Sequence, residues 1–408
     1  MSACQAPEVE VRRLCYWKQV GAECLAVKLR TRNVGMKLEK IQIENFRGIG
    51  RLELDFQDEF GRVQNQVPIV GPNTSGKTSI LDAITLCLGP VTEILPMRKD
   101  LTLSPASLVR RGSIRAHVTC TVRFSDAEIA KTKEVLERAG HPDAKKVPNV
   151  NRVTAHWDYP DPKGQHRFGF NRYEPKGAHL LFKGRVVAAR SLHVPGISAR
   201  SLQQLGGVFM FDQTRTGLVQ RMTAEMRALV AHGNEPLDDS LEERGGNGYT
   251  RDPRLILLHL ASRAQAPQDP EATELEDFER LRNLYARVCK PHQIKGLYNT
   301  ESGLDMEFEG PKGVYLFDGL SSGQLMILLL LLQFARKRIH NSIVLIDELE
   351  LHLHPLWQTR LYEGLSELGV DNQYFFTTHS THLRDLIRGE FFHCTGELGD
   401  KAVAKEEA

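Results

Sequence analysis

The sequence predicts a mixed α/β fold, and three apolar stretches carry that prediction. Val67, Ile69 and Val70 form a short core strand, which continues through a glycine-rich turn into a segment with apolar residues at helical spacing. Two later runs, Ile343–Ile346 and Gln373–Phe376, have the composition of buried strands. We therefore expect one sheet assembled from two separate parts of the chain, with an α+β segment inserted between them.

The glycine-rich turn, Gly71 to Thr78, fits the pattern G-x-x-x-x-G-K-[ST] of a phosphate-binding loop, also called Walker A. Its glycines let backbone N–H groups close around phosphate oxygens, where the helix N-terminus adds positive charge. Lys77 would reach the β- and γ-phosphates and the Thr78 hydroxyl would bind Mg²⁺. The alternative is a plain strand–helix connection, but the strand before and the helix after favour a phosphate loop. The predicted nucleotide contacts here are Gly71, Pro72, Asn73, Thr74, Ser75, Gly76, Lys77, Thr78 and Ser79.

Composition points to a globular intracellular protein. Of 408 residues, 41% are apolar and 25% are charged, which are ordinary globular values. The longest apolar run, Leu325–Leu332, is too short to cross a bilayer, and no secretory signal opens the chain. The seven cysteines form no C-x-x-C pair and no zinc spacing. We expect a reduced, cytoplasmic protein with no membrane partner.

The charge is unevenly distributed along the chain. The net charge is +2, yet residues 91–230 carry an excess of 11 positive charges and residues 231–408 an excess of 11 negative charges. A basic segment in a neutral chain is typical of a phosphate-backbone surface, although segregation along the sequence need not become a patch in space. The predicted DNA contacts are Arg110, Arg111, Arg115, Lys183, Arg185 and Arg190.

The chain divides into three parts by pattern. Residues 1–35 are an extension, or the true start is Met36; residues 36–90 and 312–408 form the nucleotide-binding head; residues 91–311 form an inserted lid. Two alternating strands follow Met36. In the lid we expect a helix from a Ser125–Glu128 capping box to about Ala139, a hairpin over 152–175, and a charged amphipathic helix over about 271–288.

Three motifs follow the lid. The sequence Leu320-Ser-Ser-Gly-Gln324 opens a buried helix, and a helix N-terminus is an anion site or a plain cap. The strand Ile343–Ile346 ends in Asp347-Glu348, where the first carboxylate could hold the Mg²⁺ water shell and the second could orient or deprotonate the attacking water. His379 follows the next strand and could contact a γ-phosphate, or it is an ordinary histidine at a strand end.

The Walker A loop is followed along the chain by LSSGQ, then VLIDE, then TTHS. This series of motifs resembles that of an ABC-type ATPase head. The opening strand IQIENFRGI is similar to that of the RecF, SMC-like and OLD-like group of AAA ATPases, and DELELHLHP most resembles the DEPELHLHP of OLD-like and Septu-type anti-phage defence ATPases. The resemblance covers about residues 36–90 and 312–388.

The resemblance implies specific roles. Two heads would sandwich two ATP molecules, with the signature residues Ser321, Ser322, Gly323 and Gln324 of one chain capping the nucleotide of the other. It makes Thr78 and Asp347 the metal ligands, and Lys77, Glu348 and His379 catalytic. It also places Asn45, Phe46 and Arg47 where such heads touch the base, sugar or phosphates.

The sequence departs from the pattern in places. Leu349 stands where a proline commonly follows the Walker B acids, and Ser322 where transporters carry glycine. The Q-loop glutamine has one candidate, Gln213. The region of His352 and His354 has no third ligand, so a zinc site is not expected. Residues 380–408 are too few for the TOPRIM domain of OLD-family nucleases, and no heptad stretch forms a coiled-coil arm.

The sequence therefore predicts a P-loop NTPase of ABC-ATPase type that uses ATP and Mg²⁺ and dimerises on ATP. We expect hydrolysis to be coupled to DNA or to a partner effector, as in the sensor ATPase of an anti-phage system with a separately encoded nuclease. One alternative is a RecF-like DNA-repair ATPase. Another is a nucleotide-gated binding module with little hydrolysis.

Overall fold

Two large sheets organise the chain in the computed structural model. The structure describes residues 35–58, 60–72, 75–92, 105–162, 169–211, 253–265, 274–301, 303–387, 391–394 and 403–406. The first sheet has six strands, in the order Val403–Glu406 (β14), Phe391–Cys394 (β13), Gln66–Val70 (β3), Gln373–Thr378 (β12), Ile343–Ile346 (β11) and Val208–Phe211 (β7). The second sheet is antiparallel, in the order Ile49–Asp55 (β2), Lys37–Phe46 (β1), Ala116–Arg123 (β4), Arg152–Tyr159 (β5) and Arg172–Glu174 (β6). A third, antiparallel sheet has the order β10-β9-β8.

The strands are β1 Lys37–Phe46, β2 Ile49–Asp55, β3 Gln66–Val70, β4 Ala116–Arg123, β5 Arg152–Tyr159, β6 Arg172–Glu174, β7 Val208–Phe211, β8 Gln293–Thr300, β9 Gly303–Gly310, β10 Gly313–Leu316, β11 Ile343–Ile346, β12 Gln373–Thr378, β13 Phe391–Cys394 and β14 Val403–Glu406. The α-helices are α1 Lys77–Thr92, α2 Asp126–Arg138, α3 Gly184–Arg190, α4 Ala199–Gln203, α5 Pro253–Gln265, α6 Glu274–Val288, α7 Ser322–Lys337, α8 Pro355–Gly364 and α9 Thr381–Leu386. Short 3₁₀ turns cover 105–108, 144–146, 178–183, 317–319 and 365–367.

The first sheet joins the two ends of the described chain. Strands β3, β12, β11 and β7 are parallel neighbours, and Thr378 lies opposite Val70, so β3 and β12 end side by side. Parallel strands buried on both faces are continuous apolar runs, which is why Ile343–Ile346 is wholly buried. The predicted α/β fold is confirmed, but three parts of the chain and not two build this sheet, because β7 from the 91–311 segment lies beside β11.

The two faces of this sheet have separate cores. One face, with Ile69, Leu345 and Phe375, packs with α1 and with the antiparallel sheet. The other face, with Val344 and Phe376, packs with α5, α6, α7 and the third sheet. Helix α1 therefore lies in the core that both large sheets share, which fixes the phosphate loop at its N-terminus.

The division of the chain into 36–90, 91–311 and 312–408 remains a prediction. Within the described residues, the 91–311 segment supplies strands to both large sheets: β4 pairs with β1, β5 pairs with β4, and β7 pairs with β11. Such pairings join residues far apart in sequence, so composition alone gives no sign of them.

Local predictions inside that segment have mixed outcomes. The hairpin of β5 with β6 and the helices α2 and α6 are confirmed. The capping box at α2 is only half formed. Ser125 accepts from the Glu128 backbone N–H, but the buried Glu128 carboxylate accepts from Gly206 N–H at 2.8 Å instead of returning to the cap. Among the described helices, none has the length and apolar character to cross a membrane.

Candidate nucleotide-binding site

The phosphate loop starts where β3 ends and finishes where α1 begins. Gly71 has φ of 156° and Gly76 has φ of 96°. Among the described residues no atom lies within 4 Å of a Cβ built on Gly76, and its φ lies in the left-handed region that favours glycine. Asn73 and Thr74 lie outside the described residues. The loop thus turns back in a backbone conformation that other residues adopt only with strain.

Lys77 lies in the mouth of this loop. It is only 7% exposed, and its Nζ donates to Gly71 O at 2.9 Å and to Pro72 O at 2.7 Å. Ser75 Oγ is buried with no hydrogen-bond partner among the described residues. The loop thus carries an ammonium group and a hydroxyl, both of which could bind an anion.

Asp347 joins the phosphate loop to the ends of two strands. Thr78 Oγ1 lies 3.0 Å and 3.2 Å from its two carboxylate oxygens, and Thr377 Oγ1 donates to Oδ1 at 2.7 Å. Asp347 is completely buried. The predicted metal ligands, 269 residues apart in sequence, thus touch in the fold.

Glu348 is held in an unusual backbone conformation directly after Asp347. Its φ is 51°, in the left-handed region that side chains other than glycine rarely adopt. Its backbone N–H donates to Thr377 Oγ1 at 2.8 Å, so one threonine hydroxyl binds both acids of the pair. The side chain is half-buried, in contrast to that of its neighbour. Sequence patterns did not single out Thr377, because its role depends on the register of β12 against β11.

His379 has a carboxylate partner that the motif search missed. Its ring Nδ1 lies 3.1 Å from Glu350 Oε1, and its backbone N–H donates to the same oxygen at 2.8 Å. The ring is 44% exposed, whereas the Glu350 side chain is 6% exposed. The signal in the sequence was an acid between two leucines in DELELHLHP.

The signature segment forms a complete N-terminal cap on α7. Ser321 Oγ accepts from Gln324 N–H at 3.3 Å, and Gln324 Oε1 accepts from Ser321 N–H at 2.8 Å. Gln324 and Gly323 are buried, while Ser321 and Ser322 are exposed at the helix N-terminus. Ser321 and Gln324 therefore form the cap of the helix, and Ser322 is exposed beside them, where it could meet a neighbouring molecule.

The three residues at the end of β1 are not equivalent. Arg47 pairs with Asp82 of α1 at 2.5 Å, next to the phosphate loop. Asn45 is half-buried, and its carbonyl accepts from Arg110 N–H at 2.8 Å. Phe46 is completely buried and packs edge-on against Trp157. The Phe46 ring therefore belongs to the core, so the predicted nucleotide contact at this position would have to come from its backbone and stays a prediction.

ATP with Mg²⁺ fits the donors that the fold brings together. The hydroxyl of Thr78 and the carboxylate of Asp347 are hard oxygen ligands, which Mg²⁺ prefers, and it usually needs only one or two carboxylates besides phosphate oxygens and water. Within the described ranges no group of three His, Cys, Asp or Glu side chains could hold a metal by itself. The donor set thus suits an ion that arrives with a phosphate ligand. Gln213, the Q-loop candidate, lies outside the described residues, although β7 just before it is the neighbour of β11.

The predicted DNA contacts are scattered. Arg111 and Arg115 are exposed and Arg110 is half-buried, and none of the three has an ion pair among the described residues. Lys183 is half-buried at the end of a 3₁₀ turn, and Arg190 is exposed at the end of α3.

Arg185 corrects one of these predictions. It is 4% exposed, and its guanidinium donates to the carbonyls of Leu202, Leu205, Lys337 and Arg338. It also lies over the Phe209 ring. This arginine ties α3 to the end of α7 and cannot serve a nucleic-acid backbone, since its donors already bind protein carbonyls.

Arg115 and Asn45 both line a cavity of about 480 Å³. The same cavity is lined by the carboxylates of Glu44 and Asp158. The hydrogen bond from His117 is the main reason that the pKa of Asp158 lies below its usual range. An ionised carboxylate next to Arg115 weakens its attraction for phosphate, so Arg110 and Arg111 are the stronger members of the set.

Known proteins resemble this chain in separate segments. A family model described as "AAA domain, putative AbiEii toxin, Type IV TA system" matches residues 226–385, and another described as "AAA domain" matches residues 40–158. Each covers less than half of the chain. Both include predicted site residues.

Two curated relatives match shorter stretches. The uncharacterized protein YbjD of Escherichia coli (strain K12) is 36% identical over 90 residues, which is 22% of this chain and 15% of that protein. The DNA double-strand break repair Rad50 ATPase of Methanopyrus kandleri is 31% identical over 103 residues, 25% of this chain and 10% of that protein. Because the chain spans so small a part of both relatives, their whole-protein activities are only proposals here.

A solved structure matches the whole architecture. The Smc head in the crystal structure with the C-terminal winged-helix domain of ScpA superposes with a TM-score of 0.52 at 15% identity, over 91% of this chain and 97% of that one. The predicted α/β P-loop fold of ABC-ATPase type is confirmed by this likeness. The two AAA-domain models match segments on either side of the middle of the chain, and each includes part of the predicted nucleotide site.

Proposed function

We propose that the protein binds Mg²⁺·ATP in the Gly71–Thr78 loop, hydrolyses it, and uses the cycle to join and separate two copies of the chain. One observation carries the proposal: Thr78 of the loop, Asp347 after β11 and Thr377 of β12 meet in one hydrogen-bonded group. A loop that bound nothing would have no need for a buried carboxylate aimed at its hydroxyl.

Each residue of the group has a chemical role in this proposal. Lys77 would move from the loop carbonyls to phosphate oxygens, where its charge offsets the charge of the transferred group. Thr78 and Asp347 would hold Mg²⁺, which supplies charge neutralisation at the phosphates. Glu348, half-buried and fixed through its own backbone N–H, would orient and deprotonate the attacking water. His379 would contact the γ-phosphate from the end of β12.

The signature serines suggest a site shared between two copies. Ser321 and Ser322 are exposed at the N-terminus of α7, which carries partial positive charge. A second copy related by a two-fold axis would place these residues on the nucleotide of its partner. We propose a homodimer, or an oligomer built from it, with two shared sites.

Hydrolysis of ATP by the purified protein tests this proposal. Lys77→Ala should weaken ATP binding because a charge partner of the phosphates is lost. Glu348→Gln should keep ATP binding and lower kcat by about a hundredfold, the usual contribution of a positioned base. Lys312→Ala, which removes an exposed lysine outside the site, should change neither. A Glu348→Gln variant with wild-type turnover would contradict the role given to Glu348, and intact binding in Lys77→Ala would contradict the site.

The biological setting that we favour is the sensor ATPase of an anti-phage defence system with a separately encoded nuclease. The DELELHLHP segment supports it, as does the toxin–antitoxin wording of the family model over 226–385. Copurification with the products of neighbouring genes is the test. An HNH or TOPRIM nuclease among them supports defence, and a reproducible absence of any nuclease contradicts it.

A RecF-like role in DNA repair is the second candidate, and the match to a Rad50 repair ATPase favours it. Arg110 and Arg111, unpaired within the described residues, could follow a phosphate backbone. Stimulation of the ATPase by gapped DNA without any partner would favour repair. A nucleotide-gated module with little hydrolysis is the third candidate, and the presence of Glu348 argues against it.

A DNA titration at two salt concentrations tests the basic surface. Arg110→Glu with Arg111→Glu should reduce DNA affinity and its dependence on salt, because fewer counterions are released. Basal ATPase activity should remain, since both side chains lie outside the phosphate site. Arg51→Glu with Lys312→Glu, at two exposed cations outside the predicted set, is the matched charge control. No binding to single- or double-stranded DNA at low salt with ATP present would indicate that these arginines face a protein partner instead.

A further inference from the structure

Glu350 is an acid that the roles above leave unused, although it is almost buried beside the site. It lies in the tight turn after β11, where Leu351 N–H donates to Glu348 O at 3.1 Å and Leu353 N–H donates to Glu350 O at 2.9 Å. Its side chain is 6% exposed. A carboxylate in that environment is costly unless it is bonded, so its partners are informative.

The partners of Glu350 are both on His379. Oε1 accepts from the backbone N–H at 2.8 Å and lies 3.1 Å from ring Nδ1. Oε2 is buried without a hydrogen-bond partner among the described residues. One residue therefore supplies both observed contacts of this carboxylate, a backbone hydrogen bond and a ring nitrogen within 3.1 Å, and it is the residue predicted to face the phosphate.

The backbone on both sides of His379 is fixed as well. Ser380 N–H donates to Thr378 Oγ1 at 3.0 Å, and Ser380 Oγ donates to Gln358 Oε1 of α8 at 2.9 Å. Leu349 N–H donates to Thr377 O at 3.1 Å. The turn that carries Glu350 and the strand end that carries His379 are thus joined by hydrogen bonds, while the imidazole ring itself is exposed.

We infer that Glu350 is a positioning residue that fixes the ring of His379 in one orientation and one tautomer. An ionised carboxylate only accepts hydrogen bonds, so Nδ1 must carry a proton to bond with it. The ring then presents Nε2 on its opposite, exposed side. The functional importance of this inference rests on the proposed function, because Nε2 is the ring nitrogen left to face the γ-phosphate or the attacking water.

A purely structural role for Glu350 makes a different prediction. If the carboxylate only satisfies the backbone N–H of His379, the ring is free to take either tautomer. Glu350→Gln separates the two accounts, because glutamine keeps an oxygen for the backbone N–H while losing the charge that holds the Nδ1 proton. Glu363→Gln, which changes an exposed glutamate on α8, is the matched control.

The decisive measurement is ¹⁵N NMR of histidine side chains in the nucleotide-free full chain, with the His379 signals assigned by their loss in His379→Asn. The wild-type protein and Glu363→Gln should show a proton on Nδ1, and Glu350→Gln should shift the ring toward the Nε2–H tautomer. An unprotonated Nδ1 in the wild type, or identical His379 signals in Glu350→Gln, would overturn the inference. Should Glu350→Gln not fold, the wild-type spectrum still decides, and Glu350→Asp should show a weaker bias than the wild type.

Turnover gives the second readout. Glu350→Gln should lower kcat by about tenfold, the usual effect of losing a residue that orients a functional histidine, with KM for ATP nearly unchanged. A wild-type kcat in Glu350→Gln would overturn the inference. A wild-type protein without ATPase activity would instead contradict the proposed function, and the nucleotide-free spectra would still test the positioning by Glu350.

Discussion

At the scale of single residues, the buried carboxyl of Glu128 should make stability depend on pH. Burial is the main cause that raises its pKa from 4.5 to about 8, although Gly206 N–H opposes the shift. The folded protein therefore keeps a proton that the unfolded chain has lost, and stability is lost as pH rises through this range. Buried His340, whose pKa burial lowers from 6.5 to about 4, stays neutral in the folded protein, and its opposite effect on stability fades as the pH rises above 6.5 and the unfolded imidazole loses its proton.

Urea unfolding between pH 6.5 and 8 isolates the Glu128 contribution. The free energy of unfolding of the wild type should fall with a slope approaching about 1.4 kcal/mol per pH unit, the value for one proton. Glu128→Gln, which can still accept from Gly206 N–H, should remove most of that slope. Glu137→Gln, an exposed change on the same helix, should keep it. Equal slopes in all three proteins would contradict a neutral Glu128 in the folded state.

Single residues also show why the sequence patterns predicted only part of the nucleotide site. Lys77, Thr78, Asp347 and Glu348 stand within short motifs whose spacing follows from local chemistry, so they could be named in advance. Thr377 could not, because its hydroxyl meets Asp347 only through the pairing of β11 with β12.

The side chains of Arg185 and Phe46 show the reverse case. Both have side chains suited to a ligand, yet the fold gives them interior partners: carbonyl oxygens for Arg185 and the Trp157 ring for Phe46. A sequence shows what a side chain can bind, and only the fold shows which partners within the protein already bind it. Buried partners of this kind remove a side chain from any surface role.

At the scale of elements, α7 holds the signature serines against the turn that follows the acids. A Cβ on Gly323 would lie 3.0 Å from His352 O and 3.3 Å from the Trp357 ring. Gln324 adds a second link, since its Nε2 donates to Tyr315 Oη at 3.0 Å, and Tyr315 Oη lies 2.9 Å from His292 Nδ1. The N-terminus of α7 is therefore fixed relative to both the third sheet and the turn.

Gly323→Ala should disturb this packing. The backbone carbonyl of His352 cannot move aside as a flexible side chain would, so overpacking should outweigh the helical preference for alanine and lower the free energy of unfolding by about 1 kcal/mol. Gly48→Ala is the control, since no atom of the part of the chain that the structure describes lies within 4 Å of a Cβ there. Thermal and urea unfolding provide the measurement, and a Gly323→Ala variant more stable than the wild type would contradict the close contact.

Elements also show how far the fold could be predicted. The strands β3, β11 and β12 and the helices α2, α6 and α7 follow from apolar periodicity and capping residues, and they stand where the sequence placed them. The pairing of β4 with β1, and the position of β7 beside β11, depend on contacts between residues remote in sequence. Periodicity specifies which face of a strand is buried but not which strand lies beside it.

At the scale of the whole molecule, the two parts that a shared nucleotide site would need lie on separate elements of one chain. The phosphate loop, Asp347 and Glu348 lie at the ends of adjoining strands, whereas Ser321 and Ser322 are exposed at the start of α7. If a second copy completes the site, neither half works alone, and hydrolysis becomes a property of the dimer. Light scattering should then show ATP-dependent dimers, or an oligomer built from them, in the Glu348→Gln background, because slow hydrolysis prolongs the bound state.

Complementation between two inactive variants tests this central claim most directly. Lys77→Ala removes the phosphate lysine and Ser322→Arg blocks the signature, so each alone should lack ATPase activity. When the two are mixed in equal amounts, mixed dimers contain one site with both Lys77 and Ser322 intact. The account predicts recovery of about a quarter of the wild-type rate, since about half of the dimers are mixed and one of their two sites is whole. Full activity of Ser322→Arg as a strict monomer would contradict it.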